Sequence, residues 1–133
     1  MAAGKTVLVV DDDADIRNVL QTVLQKVGYR VVTAADGNAG LAVAEREAPD
    51  LIIVDLMMPH QSGLLVVERL KGGRHDGPRI IMITAKEDAR YRAHAQHLGV
   101  DDYLRKPFDL GRLLESVRRL CPLQEAPVSN SSR

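Results

Sequence analysis

Cysteine is nearly absent. Cys121 stands alone in 133 residues, so no disulfide can close within the chain and a reducing compartment is expected. Aromatic side chains make up only 3%, with one Phe, three Tyr and no Trp, too few to favour stacking on a flat cofactor such as a flavin. Net charge is missing as well: 18 basic side chains balance 18 acidic ones, which removes the basic stripe that direct nucleic-acid binding needs. No apolar run approaches the ~20 residues of a membrane span, and Met1–Thr6 has no apolar signal core. These absences leave the expectation of a cytoplasmic, one-domain protein with no membrane contact. What is present agrees, since 45% apolar and 27% charged residues is ordinary globular composition, and a chain of this length can bury a core without staples.

Thr6–Val10 is a short, continuous, β-branched apolar run stopped by Asp11, the pattern of a strand buried on both faces. Ile16, Val19, Leu20, Val23, Leu24 and Val27 then follow helical spacing, with Asp13 as N-cap and Gly28 as stop. The cycle repeats. A strand is predicted at Tyr29–Ala34 and an alanine-rich helix at Asn38–Glu47, broken by Pro49; Leu51–Val54 is a strand ending on Asp55. Leu64–Leu70 reads as a helix ended by Gly72 and Gly73, and Arg79–Ile83 as a strand ending at Thr84. A polar helix over 87–98, a short strand Asp102–Leu104, and a helix Leu110–Leu120 with Leu110, Leu113, Leu114 and Val117 on one face complete the chain. The polar helix is poor in apolar positions, which are Ala89, Ala93 and Leu98, as suits a mobile or partner-facing element or a plain solvated one.

Five strands alternating with five helices predict an α/β fold, a doubly wound parallel sheet with right-handed crossovers. Ligands in such folds bind beyond the carboxyl ends of the strands. Asp11, Asp55, Thr84 and Lys106 each close a predicted strand, so positions as far apart as 11 and 106 collapse into one cleft. The folded unit is expected to span residues 5–121. Residues 122–133, with Pro127 and the run Ser129-Asn130-Ser131-Ser132, read as a solvated, disordered tail or a linker stub.

Asp11-Asp12-Asp13-Ala14-Asp15 places four carboxylates in five residues. Asp13 and Asp15 are explained by helix capping and the positive end of the helix dipole. Asp11 and Asp12 end a buried strand and face the same cleft as Asp55. Three converging carboxylates repel one another, the more so when buried, and a hard divalent cation with oxygen ligands resolves the conflict. Beside such a cation, Asp55 is a candidate acceptor of a phosphoryl group. Lys106 can place a fixed charge at a phosphoryl oxygen and Thr84 a short hydroxyl donor, which is the charge neutralisation that phosphoryl transfer requires.

These residues resemble the receiver domain of bacterial response regulators in two-component and phosphorelay signalling. The resemblance rests on Val9-Val10-Asp11-Asp12, on Pro49 to Pro59 around Asp55 with Gly63, on Ile83-Thr84-Ala85, and on Gly99 to Phe108 around Lys106-Pro107. It covers roughly residues 5–120, and it implies a flavodoxin-like strand order 2-1-3-4-5. By resemblance Asp55 is the phosphoacceptor, Mg2+ (or Mn2+) is held by Asp12, Asp55 and the Met57 backbone carbonyl with Asp11 acting through a bound water, and the Lys106–Pro107 bond is cis. Thr84 and Lys106 contact the phosphoryl oxygens. Thr84 and Tyr103 form the switch, Tyr103 turning inward as Thr84 moves, although a half-buried strand aromatic would look the same in sequence. The resemblance implies a histidine kinase or histidine phosphotransfer protein as the donor. Output passes to a protein effector through the face made by the fourth helix, fifth strand and fifth helix, with phosphorylation-dependent dimerisation as a further route and no direct nucleic-acid contact. The 13 residues after Leu120 are too few for a DNA-binding domain, so a stand-alone relay, a kinase regulator and an excised receiver all fit. The resemblance also implies no substrate turnover beyond the protein's own phosphorylation and slow dephosphorylation. Met57 and Lys86 follow Asp55 and Thr84 by two positions and are expected to shield the phosphoryl group from water and lengthen its life.

Other motifs are weaker. Gly4-Lys5-Thr6 lacks the earlier glycine and preceding strand of a phosphate-binding loop. His94 and His97 lack a thiolate or a third histidine for zinc, His60 and His75 lack a paired nucleophile, and Arg112, Arg118 and Arg119 read as a solvated basic edge. The rival readings are a haloacid-dehalogenase-type phosphatase with Asp11 as nucleophile, which resembles the chain in Asp11-x-Asp13, and a pseudo-receiver that works without phosphorylation. Against the first, the acidic run passes straight into a helix with no hairpin or cap-sized insertion.

Overall fold

The computed structural model describes residues 4–59, 61–72, 76–86 and 88–123. Strands β1 (Thr6–Val10), β2 (Arg30–Ala34), β3 (Leu51–Asp55), β4 (Arg79–Thr84) and β5 (Asp102–Arg105) alternate with helices α1 (Ala14–Val27), α2 (Gly37–Glu47), α3 (Gly63–Lys71), α4 (Ala89–Leu98) and α5 (Leu110–Leu120). All pairings are parallel, in the order β2-β1-β3-β4-β5. The doubly wound, flavodoxin-like sheet expected from the sequence is borne out.

Side chains alternate across a parallel sheet, so each apolar run feeds two cores. Leu8, Val10, Ile52, Val54, Ile80 and Met82 pack toward α2, α3 and α4, whereas Val7, Val9, Leu51, Ile53, Ile81 and Ile83 pack toward α1 and α5. All twelve are fully buried. At about 1.5–3 kcal/mol for each fully buried aliphatic side chain, the sheet centre supplies a large share of the driving force for folding.

The helices begin where short polar side chains can cap them. Asp13, Asp36, Ser62, Asp88 and Asp109 each accept a backbone N–H from the first turn that follows, which satisfies donors that would otherwise be orphaned. Asp13 thus has the capping place expected of it, and Gly28 closes α1 in a positive-φ conformation (122°) that costs a glycine little.

Three expectations about packing are corrected. Val19, assigned to the apolar face of α1, is 50% exposed; Leu20 and Leu24 are the buried positions, flanked by half-buried Ile16, Val23 and Val27. In α4, Ala89 and Ala93 are exposed, and the helix rests instead on Ala95, Leu98 and half-buried Tyr91. The basic edge of α5 is not simply solvated. Arg112 and Arg119 lie 3.2 and 3.1 Å from Asp102 Oδ2, which also accepts from the buried Ser116 hydroxyl. The polar helix expected from residue 87 begins at Ala89. Residue 87, His60, Gly73, His75 and residues 124–133 of the expected tail lie outside the described residues.

Candidate functional site

Register brings the carboxylates together. Val10 pairs with Val54, so one residue further Asp11 stands beside Asp55. Asp55 pairs with Ile83 and Thr84 with Arg105, and the Lys106 amide donates to the Thr84 carbonyl at 2.7 Å. Alternation completes the arrangement, because Asp11, Asp55 and Lys106 continue the rows that face α1 and α5 while Thr84 continues the row that faces α4. The Lys106–Pro107 peptide is cis.

Lys106 Nζ lies 3.1 Å from Asp55 Oδ2 in an aligned hydrogen bond and 3.0 Å from Asp11 Oδ2 as an ion pair. Asp11 is wholly buried and Asp55 nearly so. Burial, with the Asp11 charge added, raises the Asp55 carboxyl from 3.8 to about 6 against the pull of Lys106 and the Met57 amide. Burial works to lower Lys106, but its bonds to Asp11 and Asp55 outweigh this and hold the ammonium above its ordinary value.

Asp11 Oδ2 has no aligned hydrogen bond although it is buried, and one oxygen from each of Asp11, Asp12 and Asp55 lies within 4.8 Å of the others. Among the described residues no other group of three metal-ligating side chains comes together. Three carboxylates, one of them exposed Asp12, form an oxygen set suited to a hard divalent cation, so the residues present fit the ion that the sequence suggested.

The flanking residues have definite places. The Met57 amide donates to Asp55 Oδ1 at 3.1 Å, and its side chain is 50% exposed at the mouth. Thr84 Oγ1 accepts from the Lys86 amide at 2.9 Å. Tyr103 is inward in this structure, 6% exposed, with the Arg92 guanidinium 4.9 Å above its ring. His94 and His97 are exposed on α4. Gly63, already part of the resemblance, gains its physical reason here, and one contributor, Arg17, escaped the sequence. Gly63 is needed because a Cβ there would lie 2.3 Å from the Asp55 carbonyl oxygen. Arg17 donates to the Asp11 carbonyl at 2.7 Å; the available signal was that it is the first cation after the acidic run.

Residues 7–118 match the response regulator receiver domain. The chain belongs to that family. As a receiver it is similar to the alkaline phosphatase synthesis transcriptional regulatory protein PhoP of Bacillus subtilis (strain 168), 43% identical over 96% of this chain and 53% of PhoP. It is also similar to the probable transcriptional regulator ycf27 of Cyanophora paradoxa, 40% identical over 96% of this chain and 53% of the relative. The receiver thus spans about half the length of these relatives. Among solved structures it resembles a response regulator receiver protein from Pseudomonas putida, with TM-score 0.82, 34% identity, and coverage of 90% of this chain and 99% of that one. It also resembles the response regulator TrrA of Thermotoga maritima in complex with Mg(2+)-BeF, with TM-score 0.77, 35% identity, and coverage of 87% and 98%. The receiver is that of a two-component response regulator, and among its described residues no helix is long and apolar enough to cross a membrane.

Proposed function

We propose that this receiver accepts a phosphoryl group on Asp55 from a phosphohistidine, and that the acceptance switches a protein-binding surface. The observation that carries the reading is the buried Asp55 carboxylate, held 3.1 Å from Lys106 Nζ with Asp11 and Asp12 oxygens within 4.8 Å. Asp55, Asp12 and the Met57 carbonyl would hold Mg2+ (Mn2+ substituting), with Asp11 acting through water. Once bound, the ion supplies charge neutralisation at the carboxylates and at the oxygens of the entering group. A carboxylate oxygen of Asp55 forms the bond to phosphorus as the P–N bond breaks, and the electron pair leaves with the imidazole. Lys106 turns its ammonium from the carboxylates toward the developing phosphoryl charge, and the Thr84 hydroxyl donates from the neighbouring strand end.

The donor is a histidine kinase or phosphotransfer protein. Support comes from an apolar rim beside the acids, a shallow cleft of about 390 Å3 lined by Ile16, Ala85, Pro107 and Phe108, with exposed Val19 one turn along α1 from Ile16. A small phosphodonor needs no such rim. Movement of Thr84 toward the phosphoryl group would release the Lys86 amide and draw the β4–α4 segment with it. Tyr103, on the same face one strand away, would hold the shifted α4 through the ring that Arg92 covers. Output through α4, β5 and α5, to a protein effector or a second copy, follows from this coupling, and the names of the relatives point to transcription as the process regulated. We assign the receiver unit to residues 5–121 and its place to the cytoplasm.

The test is incubation of the pure protein with a small phosphodonor and Mg2+, read by intact mass and peptide mapping. One stable phosphoryl group at Asp55, lost in Asp55→Asn, is expected. Continuous phosphate release with Asp11 labelled would assign a dehalogenase-type phosphatase instead, and no labelling would leave a receiver that acts without phosphorylation.

A further inference from the structure

Asp11 is gripped through almost every polar atom it has. Its amide donates to the Ala34 carbonyl at 3.1 Å, its Oδ1 accepts from the Asp13 amide at 2.9 Å, and its Oδ2 lies 3.0 Å from Lys106 Nζ. The remaining atom, the backbone oxygen, points past the end of β1, where no neighbouring strand amide meets it. Arg17 Nη1 takes it at 2.7 Å. The half-buried side chain of Arg17 thus runs back from the first turn of α1 to a carbonyl six residues earlier, while the Arg17 amide holds the Asp13 carbonyl at 3.1 Å. Arg17 is also the only basic residue between Asp11 and Gln25, facing a run of four acids.

The consequence lies in the peptide plane. The Asp11 carbonyl and the Asp12 amide belong to one rigid unit, so fixing that oxygen fixes where the Cα of Asp12 begins. Asp12 itself is exposed and its side chain has no hydrogen bond or ion pair among the described residues. Of the three carboxylates, it is the one whose aim depends on the backbone beneath it. We propose that Arg17 is a positioning residue of the divalent-cation site: through the Asp11 carbonyl it sets the plane from which Asp12 reaches the ion. This rests on the metal site put forward above and goes beyond it in assigning a residue that does not touch the ion.

The experiment is a calorimetric Mg2+ titration of the full chain and of Arg17→Ala, Arg17→Gln and Arg17→Lys, at low salt and at about 0.5 M salt, where exposed charges are largely screened. Loss of a partner one shell out from a metal typically costs 10–100-fold in affinity. The Ala and Gln variants are expected to bind Mg2+ about tenfold more weakly at both salt concentrations, and Lys to restore most of the loss. In the metal-free protein, the Asp13 amide should exchange its hydrogen faster in Arg17→Ala than in the parent. Affinity within twofold of the parent in Arg17→Ala, a deficit that vanishes at high salt, or a deficit that Lys does not repair would each overturn the assignment. The two readings fail differently. A parent chain that takes up no Mg2+ removes the metal site itself, whereas normal uptake by both parent and Arg17→Ala removes only the role of Arg17.

Discussion

Asp55 is set up so that its charge is unwelcome until something cationic arrives. A carboxyl whose proton is held more tightly in the folded chain (about 6) than in the unfolded one (3.8) makes the folded state the larger proton binder between those values. Stability therefore falls as pH rises through that window, by at most about 3 kcal/mol at about 1.4 kcal/mol per tenfold change. Without divalent ions, Asp55→Asn is expected to be more stable than the parent above pH ~6 and to lose that advantage toward pH ~4, measured by urea denaturation at each pH. A parent that gains stability relative to Asn as pH rises from ~4 to ~6 would contradict the buried-acid picture. The exposed Met57 side chain at the mouth gives a second residue-scale expectation: Met57→Asn should shorten the life of the phospho-aspartate, because an amide can orient water where a thioether excludes it. An unchanged dephosphorylation rate would dismiss the shield. Gly63 sits closer still to the chemistry. Any side chain there must push the Asp55 carbonyl away, so Gly63→Ala should cost roughly 1–3 kcal/mol by overpacking and weaken phosphorylation as well, which thermal melts and labelling check together.

Among the elements, α4 and β5 form the adjustable edge of the molecule. α4 presents only Ala95, Leu98 and half-buried Tyr91 to the core, so the stacking of Arg92 on Tyr103 adds measurably to what keeps it seated. An exposed cation–π contact is worth about 0.5–1 kcal/mol. Arg92→Ala should accordingly speed hydrogen exchange in α4 severalfold while leaving α2 unchanged, and equal acceleration in both helices would mean a global rather than a local effect. β5 is tied to α5 at Asp102, where burial raises the carboxyl but the Ser116 hydroxyl, the Tyr103 amide and Arg112 outweigh it and leave it below its ordinary value. This is stability present at neutral pH and lost as pH falls through the lowered value. The sequence was uneven as a guide to these elements. Strand ends were plain, because an uninterrupted apolar run that meets Asp11, Asp55 or Thr84 has one reading. The seating of α4 was not, since Ala89, Ala93 and Ala95 are the same residue type and only the helix's rotation against β4 and β5 decides which is covered. Val19 and the Asp102 network failed for the same reason, as both depend on which neighbour lies opposite.

At the scale of the whole molecule, the acids, the lysine and the threonine come from the ends of four different strands, so the site exists only while the sheet is assembled. That is also why its main residues could be read from the chain: in a parallel sheet every strand's carboxyl end lies at one edge, and chemistry-bearing side chains at those ends must meet there. Arg17 could not be read in this way, because its partner is a backbone oxygen, which sequence does not distinguish. A ligand that binds across the assembled edge and not to the unfolded chain stabilises the fold by mass action, about 2.7 kcal/mol at a hundredfold excess over Kd. For a domain of this size that is a rise in Tm of about 10 °C. The rise should shrink as pH drops below ~6, because proton and cation compete for the Asp55 carboxylate, and it should be nearly absent in Asp12→Asn and Asp55→Asn. Scanning calorimetry with and without Mg2+ at pH 5 and pH 7.5 tests both parts. A shift of equal size at the two pH values, or one retained in both variants, would place the ion elsewhere on the molecule and detach it from the carboxylates on which the phosphoryl-transfer reading stands.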